Sequence, residues 1–321
     1  MSQETPRDMA ASVKTRLLQI ARNRREELQN VLTRYAIERL LYRLSLSEHR
    51  SRFILKGANL FTTWLGAAHR PTRDIDFLGY GNDEIASIAE AFQTICRQPV
   101  EDDGLAFSAE TVIGSSIRDD EKYSGVRIVL RGMLGKAVIP LQIDIGFGDV
   151  ITPATLEAEM PTLLNFPKPK LLTYPRETVI AEKCEAMLDL GMANTRLKDF
   201  YDLWHLATHF TFEGPLLCRA IAATLERRET AIPTLPPVAL TSGFYTDEVK
   251  RNQWRAFIGK SALSDSKDFT LEQCIEVLEA FLLPPLRAIQ NQSDFEVVWN
   301  LEDLRWQPSR LALAAQQIED E

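Results

Sequence analysis

The sequence predicts an α+β fold: a mixed sheet with helices in the N-terminal half, followed by a mainly helical C-terminal half. Three observations carry this. Val126/Ile128/Leu130 and Leu141/Ile143/Ile145 alternate with polar residues, the period-2 mark of a half-buried sheet. In the same half, Ile85, Ile88, Ala89, Phe92 and Ile95 mark one face of a helix. After about residue 150 the character changes. Pro153, Pro161, Pro167, Pro169 and Pro175 punctuate a connector, and helical spacing dominates beyond it.

The elements follow in order. Residues 8 to 46 read as helical, with Leu28, Val31, Leu32 and Tyr35 at 3–4 spacing and Leu40, Leu41 and Leu44 continuing it. Phe53-Ile54-Leu55 is too short for a helix and is followed by Lys56-Gly57-Ala58, which predicts a strand and a tight turn. A short helix from Asn59 to Gly66 and a strand from Thr72 to Leu78 come next. Strand-like segments then cover Leu105–Ile113, Val126–Leu130 and Val138–Ile145. Helices are predicted over Thr178–Leu190, Leu197–Phe210 and Pro215–Arg228. A second connector runs from Ile232 to Gly243. A helix from Thr270 to Leu283 is expected to stop at Pro284-Pro285, because proline lacks the N–H that a helix interior needs. A final helix is expected from Asn300. The domain organisation read from this is a helical segment over 1–50, a catalytic domain over 51–152 and a mainly helical domain over 153–321.

Composition excludes several classes. The 321 residues carry a net charge of −8, which argues against a protein that coats nucleic acid uniformly. With 45% apolar and 26% charged residues, a disordered chain, a collagen-like repeat and a coiled-coil rod are excluded. No apolar run approaches the roughly 20 residues a bilayer crossing needs. The start, MSQETPRDMA, lacks the basic-then-apolar layout of a secretory signal. Cys96, Cys184, Cys218 and Cys274 lie far apart with no CxxC pair. They read as reduced thiols in a cytoplasmic protein without a membrane partner.

The chemistry concentrates in Thr72-Arg73-Asp74-Ile75-Asp76-Phe77. Alternate side chains of a strand share a face, so Asp74 and Asp76 point one way while Ile75 and Phe77 point into the core. Two carboxylates roughly 6–7 Å apart repel unless a cation sits between them. Mg²⁺ (or Mn²⁺) takes oxygen ligands, commonly one or two carboxylates plus substrate phosphates. Gln142-Ile143-Asp144-Ile145-Gly146 repeats the arrangement. If its strand neighbours the first, three carboxylates converge, the ligand set of a two-metal phosphoryl-transfer site. The turn at Gly57 adds free backbone N–H groups suited to phosphate oxygens.

Two positions in the helical half stand out. On a wheel of 100° per residue, Lys183 is centred in the apolar arc of Val179, Ile180, Met187 and Leu190. Asp199 is likewise centred among Leu203, Leu206 and Phe210, with Asp202 further to the side. Two readings are open. Lys183 and Asp199 form a buried salt bridge between packed helices, or both project toward the carboxylates, with the lysine on the phosphates.

These residues resemble a known family. Strand, small-residue turn, helix, a DxD strand and a third Asp on a later strand are the pattern of the DNA polymerase β-like nucleotidyltransferases. More specifically, Lys56-Gly57-Ala58, Arg70-Pro71-Thr72-Arg73-Asp74-Ile75-Asp76-Phe77, Glu182-Lys183 and Arg196-Leu197-Lys198-Asp199-Phe200-Tyr201-Asp202-Leu203 resemble the four motifs of the AbiEii/AbiGii toxins, over residues 50 to 210. The resemblance implies a polymerase β-like sheet and a metal-dependent toxin. It implies transfer of a nucleotide from an NTP to RNA, plausibly the tRNA 3′ end, and restraint by an antitoxin protein. The implied catalytic residues are Asp74, Asp76, Asp144, Lys183 and Asp199, the first three also binding metal. Lys56, Gly57, Ala58, Thr72, Arg73 and Lys183 would hold the nucleotide; Arg70, Arg196, Lys198 and Asp202 are candidate acceptor or phosphate contacts. One departure stands out: the family usually has Gly-Gly or Gly-Ser in the turn, and Ala58 lacks both the hydroxyl and glycine's freedom at positive φ. Transfer to a protein side chain and an inert binding module remain as alternatives.

Remaining features read more plainly. His205 and His209 have i, i+4 spacing but no HExxH glutamate between them. Arg22-Asn23-Arg24-Arg25 reads as a solvated stretch, and Gly114-Ser115-Ser116 is not followed by a DxD strand. Asp119-Asp120 are adjacent rather than alternate, and Trp204, Trp299 and Trp306 read as core or interface.

Overall fold

The structure, a computed structural model, describes residues 8–66, 70–117, 125–260 and 268–308. Asp119-Asp120 and the tail from 309 lie outside the described residues. The chain divides into two units, Met1–Asp149 with Thr155–Tyr174, and Val150–Ala154 with Pro175–Glu321.

The first unit opens with two helices where one stretch was expected. Helix α1 (Met9–Arg24) ends because Arg25 adopts φ 54°, a left-handed cap whose N–H bonds to the carbonyls of Ala21 and Arg22. Helix α2 (Leu28–Leu46) is buried almost all round, so its charges are buried too. Asp103 accepts from Arg39 Nε at 2.9 Å, Arg43 Nη1 at 2.9 Å and Arg43 Nη2 at 3.1 Å. Burial alone would raise the Asp103 pKa, but the Arg43 hydrogen bonds and charge leave it below the usual carboxylate value.

Beside this knot, Glu38 accepts from the Leu163 N–H at 2.7 Å. Burial pushes its carboxyl up to about 7 in spite of that bond and of Arg39. A raised carboxyl contributes stability that is full below its unfolded value, near 4.5, and lost as pH rises through about 7. Glu38→Gln is therefore expected to flatten the pH dependence of stability between pH 5 and 8, removing a slope worth ~3 kcal/mol in urea melts.

The sheet is built from β1 (Phe53–Lys56), β2 (Asp74–Gly79), β3 (Leu105–Ile117), β4 (Gly125–Leu134), β5 (Ala137–Phe147), β6 (Leu156–Glu159) and β7 (Lys170–Thr173). Helices α3 (Asn59–Leu65) and α4 (Ile85–Arg97) intervene. The strand order is β3-β4-β5-β2-β1-β7-β6. β2 runs antiparallel to β1 and parallel to β5. The apolar face packs on α4, where Phe92 lies 5.2 Å from Phe53, and Phe53 lies 5.8 Å from Phe77.

The boundary expected at residue 152 differs. In the proline-rich stretch β7 pairs in parallel with β1 and carries β6 with it, so residues 155–174 return to the sheet. Each strand has only four residues, too few for an alternation signal.

The second unit contains α5 (Arg176–Leu190), α6 (Leu197–His209), β8 (Phe212–Glu213), α7 (Gly214–Arg227), α8 (Ser242–Tyr245), α9 (Glu248–Lys260), α10 (Leu271–Asn291), β9 (Val297–Asn300) and β10 (Arg305–Pro308). Contrary to expectation, α10 runs through Pro284 and Pro285. Burial of Leu282, Leu283, Pro285, Leu286 and Ala288 offsets the hydrogen bonds that the prolines remove. The final helix expected from Asn300 is corrected as well: Asn300 ends β9, which pairs with β10 and β8 in a three-stranded sheet. Trp299 is buried there and donates to the Ala207 carbonyl at 2.7 Å. Among the described residues no helix is long and apolar enough to cross a membrane.

Candidate active site

In the first unit the site residues sit on the polar face of the sheet. β1 ends at Lys56, whose register partner is Asp76. Gly57 then takes φ +74°, and a Cβ there would lie 2.0 Å from Asp76 Oδ2. The turn needs glycine twice over, for its backbone angle and for the carboxylate resting on it. Gly57→Ala is expected to destabilise the protein by at least about 1 kcal/mol in urea melts and to displace Asp76.

Ala58 lies at φ −67° and ψ −23°, right-handed helical geometry. The departure from a second glycine therefore carries no backbone strain. Asn59 is buried and donates to the Asp74 carbonyl at 2.9 Å. The Thr72 hydroxyl donates to the same carbonyl at 3.3 Å. The Asn59 bond ties the start of α3 to the start of β2.

The neighbouring strands bring the acids together in register. Asp76 of β2 pairs with Asp144 of β5, and Asp74 with Gln142. In both strands the intervening Ile75, Phe77, Ile143 and Ile145 are buried, so Asp74, Asp76 and Asp144 share the opposite face. Asp144 is held by Arg127 of β4 through two bonds, Nε–Oδ1 and Nη2–Oδ2, each 2.8 Å. Gln142 adds a bond at 3.3 Å. Lys56 Nζ meets Asp149 Oδ2 at 3.2 Å and lies 5.5 Å from the centre of the Tyr174 ring.

These donors suit a hard divalent cation in type, being carboxylate oxygens on one face. Among the described residues, no three His, Cys, Asp or Glu side chains are grouped closely enough to hold a metal ion. In donor type Asp74 and Asp76 suit a site completed by substrate oxygens, and Asp144 is bound by Arg127. Arg73 is exposed, 3.5 Å from Asn30 Oδ1, and Arg70 is half-buried.

In the second unit, Lys183 makes the ion pair of the first reading and adds a second carboxylate. Its Nζ lies 2.5 Å from Asp199 Oδ1 and 2.9 Å from Asp202 Oδ2. The Asp199 and Asp202 side chains are 4% and 0% exposed, and that of Lys183 11%. Arg196 Nε approaches Asp199 Oδ2 at 2.7 Å. Burial would raise the Asp199 pKa, but Lys183 and Arg196 hold it below the usual carboxylate value. Lys198 is exposed. His205 and His209 stack at 4.4 Å, and His209 Nδ1 lies 2.9 Å from the His205 carbonyl, the pattern of a packed helix end.

Sequence reasoning missed Arg127 and Asp149. Arg127 was findable in principle: it alternates with the buried Val126 and Ile128, which puts it on the polar face of β4. Its pairing with Asp144, however, depends on strand register. Asp149 follows β5 in a segment with no periodicity to place it.

A mixed sheet in which strand, glycine turn and helix lead to a strand of alternate carboxylates is a nucleotidyltransferase fold. The match to a family model described as the nucleotidyl transferase AbiEii toxin of type IV toxin–antitoxin systems spans residues 39–281, and the chain belongs to that family. The match reaches past the motif region into α10. Comparison with curated protein sequences gives no match. Two solved Helicobacter pylori structures are similar at 14% identity and a TM-score of 0.48. One is JHP933, with 83% of this chain and 95% of that one covered. The other is provisionally named a nucleotidyltransferase, with 84% and 99% covered.

Proposed function

We propose that this toxin transfers a nucleoside monophosphate from an NTP to an RNA hydroxyl, at the 3′ end of tRNA, with release of pyrophosphate. The observation that carries the reading is the register of Asp76 with Asp144, with the Asp76 carboxylate resting on the Gly57 turn. Asp74 and Asp76 would hold a divalent cation, Mg²⁺ or Mn²⁺, joined by Asp144 once Arg127 lets go. When bound, such a cation neutralises phosphate charge and lowers the pKa of a coordinated hydroxyl.

The chain's own residues position and neutralise. The Gly57 and Ala58 N–H groups bind the triphosphate. In the second unit Asp199 holds Lys183 in an ion pair. Asp144 orients the acceptor hydroxyl and takes its proton as the oxygen attacks the α-phosphorus. The bond from that phosphorus to the pyrophosphate oxygen then breaks. The family implies a cognate antitoxin that restrains the activity.

Incubation with NTPs labelled at the α-phosphate, total tRNA and cell lysate tests this. Label in RNA is expected. Label in polypeptide would redirect the activity to protein side chains, and no label with any NTP would sink the reading.

A further inference from the structure

Register lines up a row of charges across the sheet. Lys56 of β1 faces Asp76 of β2, Asp76 faces Asp144 of β5, and Asp144 faces Arg127 of β4. The row reads plus, minus, minus, plus. Its two inner acids stand on neighbouring strands, about 5 Å apart at the backbone. Like charges at that spacing need compensation.

Arg127 supplies it to Asp144. Its guanidinium meets both carboxylate oxygens in the parallel two-bond geometry at 2.8 Å, the strongest form of such a pair. The Arg127 side chain is also 41% exposed, so water screens the pair and limits its strength. A divalent cation carries twice the charge and seeks the same oxygens.

We propose that Arg127 is a positioning residue that holds Asp144 in reserve and competes with the cation position Asp144 would complete. Asp144 is aimed by Arg127 while no nucleotide is bound. When the triphosphate arrives with its cation, the carboxylate passes from guanidinium to metal, and the freed guanidinium faces the phosphate oxygens. The exchange moves no covalent bond and no proton. This inference rests on the reading that the acids of β2 and β5 bind divalent cations, and it names what controls the second position.

The test is a Mn²⁺ titration followed by electron paramagnetic resonance. It uses the full chain with each of the α,β-methylene analogues of ATP, CTP, GTP and UTP in turn. The wild type is expected to bind two Mn²⁺, one more weakly. Arg127→Ala is expected to tighten the weaker site three- to tenfold, on the order expected for removing a nearby positive charge and its exposed ion pair. Arg127→Lys, which keeps the charge but loses the fork, should tighten it less. Asp144→Asn should abolish it. Damage to the fold would weaken metal binding, so tightening separates competition from a structural role. Circular dichroism of both Arg127 variants checks that the sheet persists.

A weaker site that is unchanged or weakened in both folded Arg127 variants would overturn the proposal while leaving the cation site of Asp74 and Asp76 in place. Absence of Mn²⁺ binding with every analogue, or binding insensitive to Asp76→Asn, would overturn the functional reading and this inference with it.

Discussion

Asp76→Asn is expected to lower nucleotidyl transfer by on the order of a thousandfold or more and to leave the fold intact. On the proposed function, the large loss follows from removing a charged oxygen that would hold the cation against the phosphate, a contribution that water cannot replace. The fold should survive because the substitution touches only the polar side of β2. Ile75 and Phe77 stay buried, and Asn keeps the size of the group resting on Gly57. Thermal melting should therefore show a cooperative transition close to that of wild type. Full transfer activity in a folded Asp76→Asn protein would contradict the assignment.

Lys183→Ala is expected to have the largest effect on stability. It removes the amine shared by two carboxylates, Asp199 and Asp202, that are almost fully shielded from water. Arg196 still reaches Asp199, while Asp202 loses the Lys183 amine. Breaking a buried pair from one side costs about 3–5 kcal/mol, readable in urea melts at pH 7. The loss should shrink on acidification. Asp199 has a depressed pKa in the folded protein, so its pairing stabilises above the unfolded carboxylate value and is lost as pH falls through the folded one. Once Asp199 is protonated, its buried charge no longer calls for the lysine.

Adding Asp202→Asn to Lys183→Ala should recover part of the stability, because the amide is neutral.

Much of this was legible in the sequence because it is local. The strand, turn and short helix around Gly57 are written in consecutive residues, as is the alternation of acids with core residues around Asp74 and Asp76. The inward aspect of Lys183 and Asp199 follows from helical period alone. What stayed hidden depends on pairing between distant segments. Nothing near Arg127 in the sequence says that it faces Asp144, and nothing near Lys170 says that its strand will dock on β1. The three short strands around Trp299 carry too few residues for a period. Pro284 and Pro285 misled for the converse reason. Local propensity forbids a helix there, and tertiary burial overrides it. The Asp103 knot shows the same limit: Arg39 and Arg43 look like surface residues of a helix until the segment beyond α4 closes over them.

A crystal of the protein grown with Mn²⁺ and a non-hydrolysable NTP, mapped by anomalous scattering at the manganese edge, tests whether Asp74 and Asp76 hold the cation. The expected result is a peak touching the Asp74 and Asp76 carboxylates, with the α-phosphate of the nucleotide bound to the same ion. A nucleotide seated elsewhere on the chain, with no manganese against β2, would contradict it.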